Sequence, residues 1–170
     1  MDSQKPLSLR TLWMENQPEE KIKILYVDDE ENNLQAFKAT FRRDYKIFLA
    51  ISAKDGEEIL SREDIDIIIT DQRMPEKTGV EFLESIIPIH PKPIRLLLTG
   101  YTDIQAVIDA INKGQVYHYL TKPWEEDYLR TVIKNAFEVY ALRRENERLT
   151  SALLKANEQL EFLLRQNLLS

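Results

Sequence analysis

Five short apolar runs punctuate the chain, and between them apolar residues recur at helical spacing. The runs at 22–27 (Ile22-Lys23-Ile24-Leu25-Tyr26-Val27) and 65–70 (Ile65-Asp66-Ile67-Ile68-Ile69-Thr70) are rich in β-branched residues. With those at 45–50, 94–99 and 116–120 they predict five strands. The stretches between them predict helices at 31–43, 54–61, 79–87 and 103–112, followed by a last helix from about Glu125. Near-continuous apolar strands alternating with helices predict a parallel sheet buried on both faces by crossover helices. Pro75 and Gly79 precede the third helix, Pro91 and Pro93 separate it from the fourth strand, and Gly114 ends the fourth helix. Thr102, with Gln105 three residues on, has the pattern of a capping box at the start of that helix.

The last helix carries a second pattern. Val139, Leu142, Asn146, Leu149, Leu153, Ala156, Leu160, Leu163 and Asn167 are spaced alternately by three and four residues. This is a heptad seam, with Val139, Asn146, Leu153, Leu160 and Asn167 at a and the others at d. A helix running from Glu125 to the chain end would be roughly 65 Å long. No turn signal interrupts it, and folding such a helix back on its own domain would leave its leucines exposed. The seam therefore predicts a parallel homodimer whose register is set by Asn146. The resulting organisation is an extension at 1–20, a globular domain at 21–142 and a coiled-coil helix at 143–170. The extension is polar with apolar anchors at Leu7, Leu9, Leu12, Trp13 and Met14, which predicts a loosely packed leader or a short helix docking Trp13. The chain ends in mid-heptad, so the helix either continues into an output domain or is itself the output.

Composition narrows the function. Of 170 residues, 43% are hydrophobic, enough for a substantial core. The formal net charge is −6, from 23 basic against 29 acidic residues, which provides no basic footprint for direct nucleic-acid binding and no polybasic membrane anchor. The absence of cysteine excludes disulfides, thiolate catalysis and zinc–cysteine sites, and the two histidines, His90 and His118, are too few for a histidine metal cluster. The N-terminus lacks the apolar core of a signal peptide and no run reaches transmembrane length, so the expected location is the cytoplasm, away from the membrane.

The chemistry gathers at strand ends. Asp28 and Asp29 follow the first strand, Asp71 follows the third, and Thr99 and Lys122 close the fourth and fifth. In open parallel sheets the carboxyl ends of the strands form the binding crevice. The acids then converge from different strands into one cation-attracting site beside a hydroxyl and a lysine, a combination suited to a metal ion and a phosphoryl group. Each acid alone is equally well explained as a helix cap or turn former. Together they repel one another unless a cation joins them.

In this order and spacing, Asp28-Asp29, Asp71 with Met74-Pro75 and Gly79, Thr99-Gly100, Tyr119 and Lys122-Pro123 resemble the receiver domain of bacterial two-component response regulators. The resemblance runs from about Lys21 to about Leu142. It implies a doubly wound, flavodoxin-like five-stranded sheet of order 2-1-3-4-5. It also implies that Asp71 accepts a phosphoryl group from the phosphohistidine of a cognate kinase. Magnesium would be held by Asp29, Asp71 and the backbone carbonyl of Arg73, with Asp28 adding charge and binding a metal-bound water. Lys122 and Thr99 would contact phosphoryl oxygens, Thr99 and Tyr119 would form the switch, and Lys122-Pro123 would be a cis peptide. Arg73 and Tyr101 would flank the site and tune phosphoryl lifetime. The segments Thr70-Asp71-Gln72-Arg73-Met74-Pro75, Leu98-Thr99-Gly100-Tyr101-Thr102-Asp103 and Thr121-Lys122-Pro123-Trp124 are similar to receivers coupled to signalling enzymes. A diguanylate cyclase is accordingly the expected output. The alternatives are a stand-alone interaction protein, a sigma-factor activator, a cyclic-dinucleotide phosphodiesterase or a serine phosphatase.

Overall fold

The alternation of apolar runs and helical stretches resolves into five parallel strands and five helices in a computed structural model that describes residues 20–100, 102 and 104–169. The strands are β1 (Lys23–Val27), β2 (Lys46–Ala50), β3 (Ile67–Asp71), β4 (Ile94–Thr99) and β5 (His118–Thr121). The helices are α1 (Glu31–Phe41), α2 (Ala53–Arg62), α3 (Gly79–Ile86), α4 (Ile104–Asn112) and α5 (Glu126–Leu169). The strand order is β2-β1-β3-β4-β5, the doubly wound order that the resemblance implied.

Side-chain parity builds the two cores. Successive residues on a strand point to opposite faces. Ile24 and Tyr26 join Ile67, Ile69, Leu96 and Leu98 on the face covered by α1 and α5. Leu25 and Val27 join Ile68 and Leu97 on the face covered by α2, α3 and α4. Both faces are dry, which explains why the strands read as unbroken apolar runs instead of alternating ones.

Several boundaries differ from expectation. β3 starts at Ile67, not at residue 65, because Asp66 is used to close the base of the sheet. Its backbone N–H donates to the Lys23 carbonyl at 3.0 Å and its carbonyl accepts from Ile94 at 3.0 Å, while its carboxylate accepts the Lys23 N–H at 2.9 Å. Asp71 is consequently the last residue within the strand. β5 begins two residues late, since Gly114 turns the chain at φ 72° and Tyr117 is still joining the sheet through Arg95. The capping box at Thr102 is not formed: the Gln105 amide donates forward to Asp109, and the Thr102 hydroxyl accepts from Arg73.

The last helix is continuous over 44 residues. Leu129, Val132, Ile133, Ala136 and Tyr140 are buried on the sheet, and Val139, the first seam residue, is half-buried against the same core. Beyond them the helix leaves the domain. Leu142 is 71% exposed and Leu149, Leu153, Leu160 and Leu163 are all more than half exposed; Asn146 and Ala156 are exposed too. Among the described residues no helix is long and apolar enough to cross a membrane.

Gly79 positions the site from the other side. A Cβ there would lie 2.3 Å from the Asp71 carbonyl oxygen and 2.8 Å from Leu97 Cδ1. Only glycine lets the N-terminus of α3 press against the end of β3. Gly79→Ala should therefore push α3 away from Asp71 and cost about 1–3 kcal/mol of stability, the usual range for overpacking. Gly100 has nothing within 4 Å of its own Cβ position, so Gly100→Ala should stay within about 0.5 kcal/mol of wild type. Parallel urea denaturation of the two variants checks the contrast, and equal midpoints would refute it.

Candidate functional site

Two strands, β1 and β3, deliver three acids to one end of the sheet. One carboxylate oxygen from each of Asp28, Asp29 and Asp71 lies within 4.8 Å of the other two. Asp28 and Asp71 are buried while Asp29 is half-buried, so the cluster opens to solvent on the Asp29 side. Lys122 reaches in from the end of β5, placing Nζ 3.1 Å from Asp71 Oδ1 and 3.3 Å from Asp28 Oδ2. Its backbone N–H donates to the Thr99 carbonyl at 3.0 Å, which ties the ends of β4 and β5 together. The Lys122–Pro123 peptide is cis, as the resemblance implied.

Asp28 is fixed more firmly than its neighbours. Its Oδ2 accepts from the Tyr26 hydroxyl at 2.8 Å and from Asn33 Nδ2 at 3.1 Å, besides the lysine. Its Oδ1 accepts the Glu30 N–H at 2.9 Å. The turn-forming role available to any aspartate after a strand is thus also filled here. α1 has no side-chain cap from Glu30, and the Asp28 carboxylate holds the N–H of that residue just ahead of the helix. Tyr26 and Asn33 were not singled out in the sequence. The available signal was parity: Tyr26 lies two residues before Asp28, on the same face of β1, and is a hydroxyl within an otherwise apolar strand.

Electrostatics follow from burial and proximity. Burial pushes the Asp71 carboxyl up, contact with Lys122 pulls it down, Asp28 adds to the rise, and the net shift is upward. Burial works against the charged Lys122 ammonium, but its hydrogen bond to Asp71 and the charges of Asp71 and Asp28 outweigh this and raise its pKa. Burial and the adjacent Asp28 charge keep the Tyr26 phenol protonated as a donor. Two unit charges about 5 Å apart repel by roughly 3 kcal/mol at an effective dielectric of about 20. One lysine cannot offset three carboxylates, so the cluster favours a further cation.

The donor set suits a hard one. All contributing atoms are oxygens, and oxygens on opposite sides of a magnesium ion stand roughly 4 Å apart. A set whose atoms all lie within 4.8 Å of one another is of a size to meet such an ion. The Arg73 carbonyl lies two residues beyond Asp71 in the loop leading to α3. The Arg73 side chain turns away, its guanidinium donating to the Thr102 hydroxyl at 2.5 Å.

Thr99 is buried at the end of β4, with its hydroxyl donating to the Gly100 carbonyl at 3.0 Å. Tyr119 is half-buried on β5, against the core face shared with α2, α3 and α4. Tyr101 lies outside the described residues. Gln72 is a further positioning residue that the sequence did not announce. Buried beside Asp71, it accepts the Val80 N–H on Oε1 at 3.0 Å and the Gly79 N–H on its carbonyl at 2.9 Å. These bonds hold the first turn of α3 against the end of β3.

The chain is similar in sequence and fold to known proteins. The hydrogenase transcriptional regulatory protein HoxA of Bradyrhizobium diazoefficiens is 36% identical over 124 residues, covering 73% of this chain and 26% of HoxA. The chain therefore spans about a quarter of that relative's length. A solved structure of an adenylate cyclase from Rhodopirellula baltica superposes with a TM-score of 0.75 at 28% identity, covering 78% of this chain and 98% of that one. A response regulator receiver domain protein from Clostridium thermocellum does so at 0.68 with 34% identity, covering 71% and 98%. The response regulator receiver domain model matches residues 24–134, a span containing every acid of the cluster together with Thr99 and Lys122, and the chain belongs to that family.

Proposed function

We propose that this receiver takes a phosphoryl group from the phosphohistidine of a cognate kinase onto Asp71, in a magnesium-dependent reaction in the cytoplasm. The observation that carries the reading is the convergence of Asp28, Asp29 and Asp71 on one point beside Lys122. Asp29, Asp71 and the Arg73 carbonyl would hold the ion, which when bound neutralises the charge between nucleophile and donor. Asp28, held by four donors, contributes fixed negative charge. Lys122 already contacts the Asp71 oxygen, so it is placed to stabilise charge arriving there. The Thr99 hydroxyl would exchange its bond to Gly100 for one to a phosphoryl oxygen, and Tyr119 would follow it inward as the switch.

The signal would leave through α5. Its seam from Leu142 to Leu163 is exposed, and a second copy of the same helix would bury it in parallel, with Asn146 pairing across the two-fold axis. Val139 is partly committed to the domain core, which links movements of the domain to the first turn of the coiled coil. A transcription-regulating output after this helix is supported by the HoxA relative. The Rhodopirellula neighbour, an adenylate cyclase, supports a nucleotide-cyclase output in general and not the diguanylate cyclase expected from the sequence in particular. Reading the coding sequence past Ser170 separates them: a GGDEF-type motif favours the cyclase, an ATPase or DNA-binding domain the regulator.

Asp71→Asn should abolish acid-labile labelling from acetyl phosphate while leaving the circular dichroism spectrum unchanged; full stoichiometric labelling of the variant would move the nucleophile elsewhere. Asp29→Asn should weaken magnesium binding by about tenfold or more, read by fluorescence titration, and unchanged affinity would remove Asp29 from the metal site. Asn146→Leu should tighten self-association by about tenfold or more while loosening register. Sedimentation equilibrium and spin-label distances near residue 160 measure both, and an antiparallel pair or a monomer would defeat the relay.

A further inference from the structure

A second charged cluster lies at the opposite end of the sheet. At the amino-terminal ends of β1 and β2, beside the last turn of α1, an open cavity of about 540 Å³ is lined by Lys21, Lys23, Lys38, Arg42 and Lys46. Glu20 is the single acid among its described lining residues. The gathering is costly as it stands. Lys23 and Lys46 are direct partners in the β1–β2 register, and like charges placed opposite each other on neighbouring strands are destabilising. Lys38 and Arg42 are four residues apart on α1, where like charges also repel.

Apart from Glu20, two nearby carboxylates have partners outside the cavity or on its backbone. Asp44 pairs with Arg130 at 2.6 Å, and Asp66 accepts the backbone N–H of Lys23. Among the described residues none of the five cations forms an ion pair. Ordinary structural roles account for part of the set: basic side chains suit a helix C-terminus, which covers Lys38 and Arg42, and lysine guards an open sheet edge, which covers Lys46 on the edge strand β2. Neither explains why Lys21 and Lys23 join them around one concavity in a chain whose net charge is −6.

We propose that this cavity binds a small polyanion carrying two or more phosphate groups, either inorganic or on a nucleotide. Its volume falls in the range of small-molecule sites, about 300–1,000 Å³. Ammonium point charges and a guanidinium fork are the side chains that hold phosphate oxygens. The apolar wall is limited to Tyr45 and Ile47, too little to anchor a peptide. The site is separate from the phosphoryl chemistry at Asp71, and its test is independent of that reading.

Calorimetric titration of the whole chain, in magnesium-free buffer, would use sodium tripolyphosphate, ADP and orthophosphate as probes. Tripolyphosphate should bind at least about tenfold more tightly than orthophosphate, with affinity falling as salt rises. If ADP matches tripolyphosphate or exceeds it, the natural ligand class is a nucleotide; if ADP binds more weakly, it is an inorganic polyphosphate. The double variant Lys38→Gln/Lys46→Gln should lose at least about tenfold in affinity, as should Arg42→Gln/Lys23→Gln, and acetyl phosphate labelling of Asp71 should be unchanged in both. Equal affinity for orthophosphate and tripolyphosphate, undiminished binding by both variants, loss of binding in Lys122→Ala alone, or tighter binding of polyglutamate than of tripolyphosphate would each overturn the proposal.

Discussion

Lys122 places one positive charge 3.1 Å from Asp71 and 3.3 Å from Asp28, and the architecture around it exists to make that meeting possible. Asp28 follows β1, Asp71 ends β3 and Lys122 follows β5, so the three converge only if the strands are parallel and all point the same way. The doubly wound order does this, with crossover helices returning the chain each time to the opposite end of the sheet. The charges at the crevice are then a consequence of topology. Three carboxylates there stand against the one ammonium of Lys122.

The same parity that buries the sheet also connects the site to its surroundings. Tyr26 lies on the α1–α5 face and donates to Asp28, so the rigid core and the acidic cluster share a side chain. On the other face Gln72 and Gly79 seat the start of α3 against the Asp71 backbone. The main chain of Asp71 is thus held by the start of α3, while its buried carboxylate faces Lys122.

α5 has two environments along one continuous helix. Its first four turns face the sheet, where Leu129, Ile133 and Ala136 are fully buried, and Trp124 just ahead of it packs on Phe37 and Phe41 with centroid distances of 6.2 and 5.4 Å. Tyr140 is the last buried residue of the helix, and both burial and the charge of Asp66 at the base of the sheet push its phenol up to about 12. Past that anchor the apolar residues have no surface of their own domain to cover.

Five strands, their parallel pairing, the length of the last helix and the gathering of Asp28, Asp29, Asp71 and Lys122 at one end of the sheet were legible from the sequence. Each is written in local pattern: apolar runs of strand length, three-four spacing, and polar residues at strand ends. What the tertiary structure alone decided are the relations between distant segments. Asp66 was indistinguishable from a strand residue until its carboxylate met the Lys23 N–H 43 positions away. Tyr26, Asn33 and Gln72 became positioning residues only through the groups their side chains reach. The facing of Lys23 and Lys46 required the register of β1 on β2. Hydrophobic periodicity specifies which face of an element is buried, but not what lies across from it, and the electrostatics of both ends of this sheet depend on that second fact.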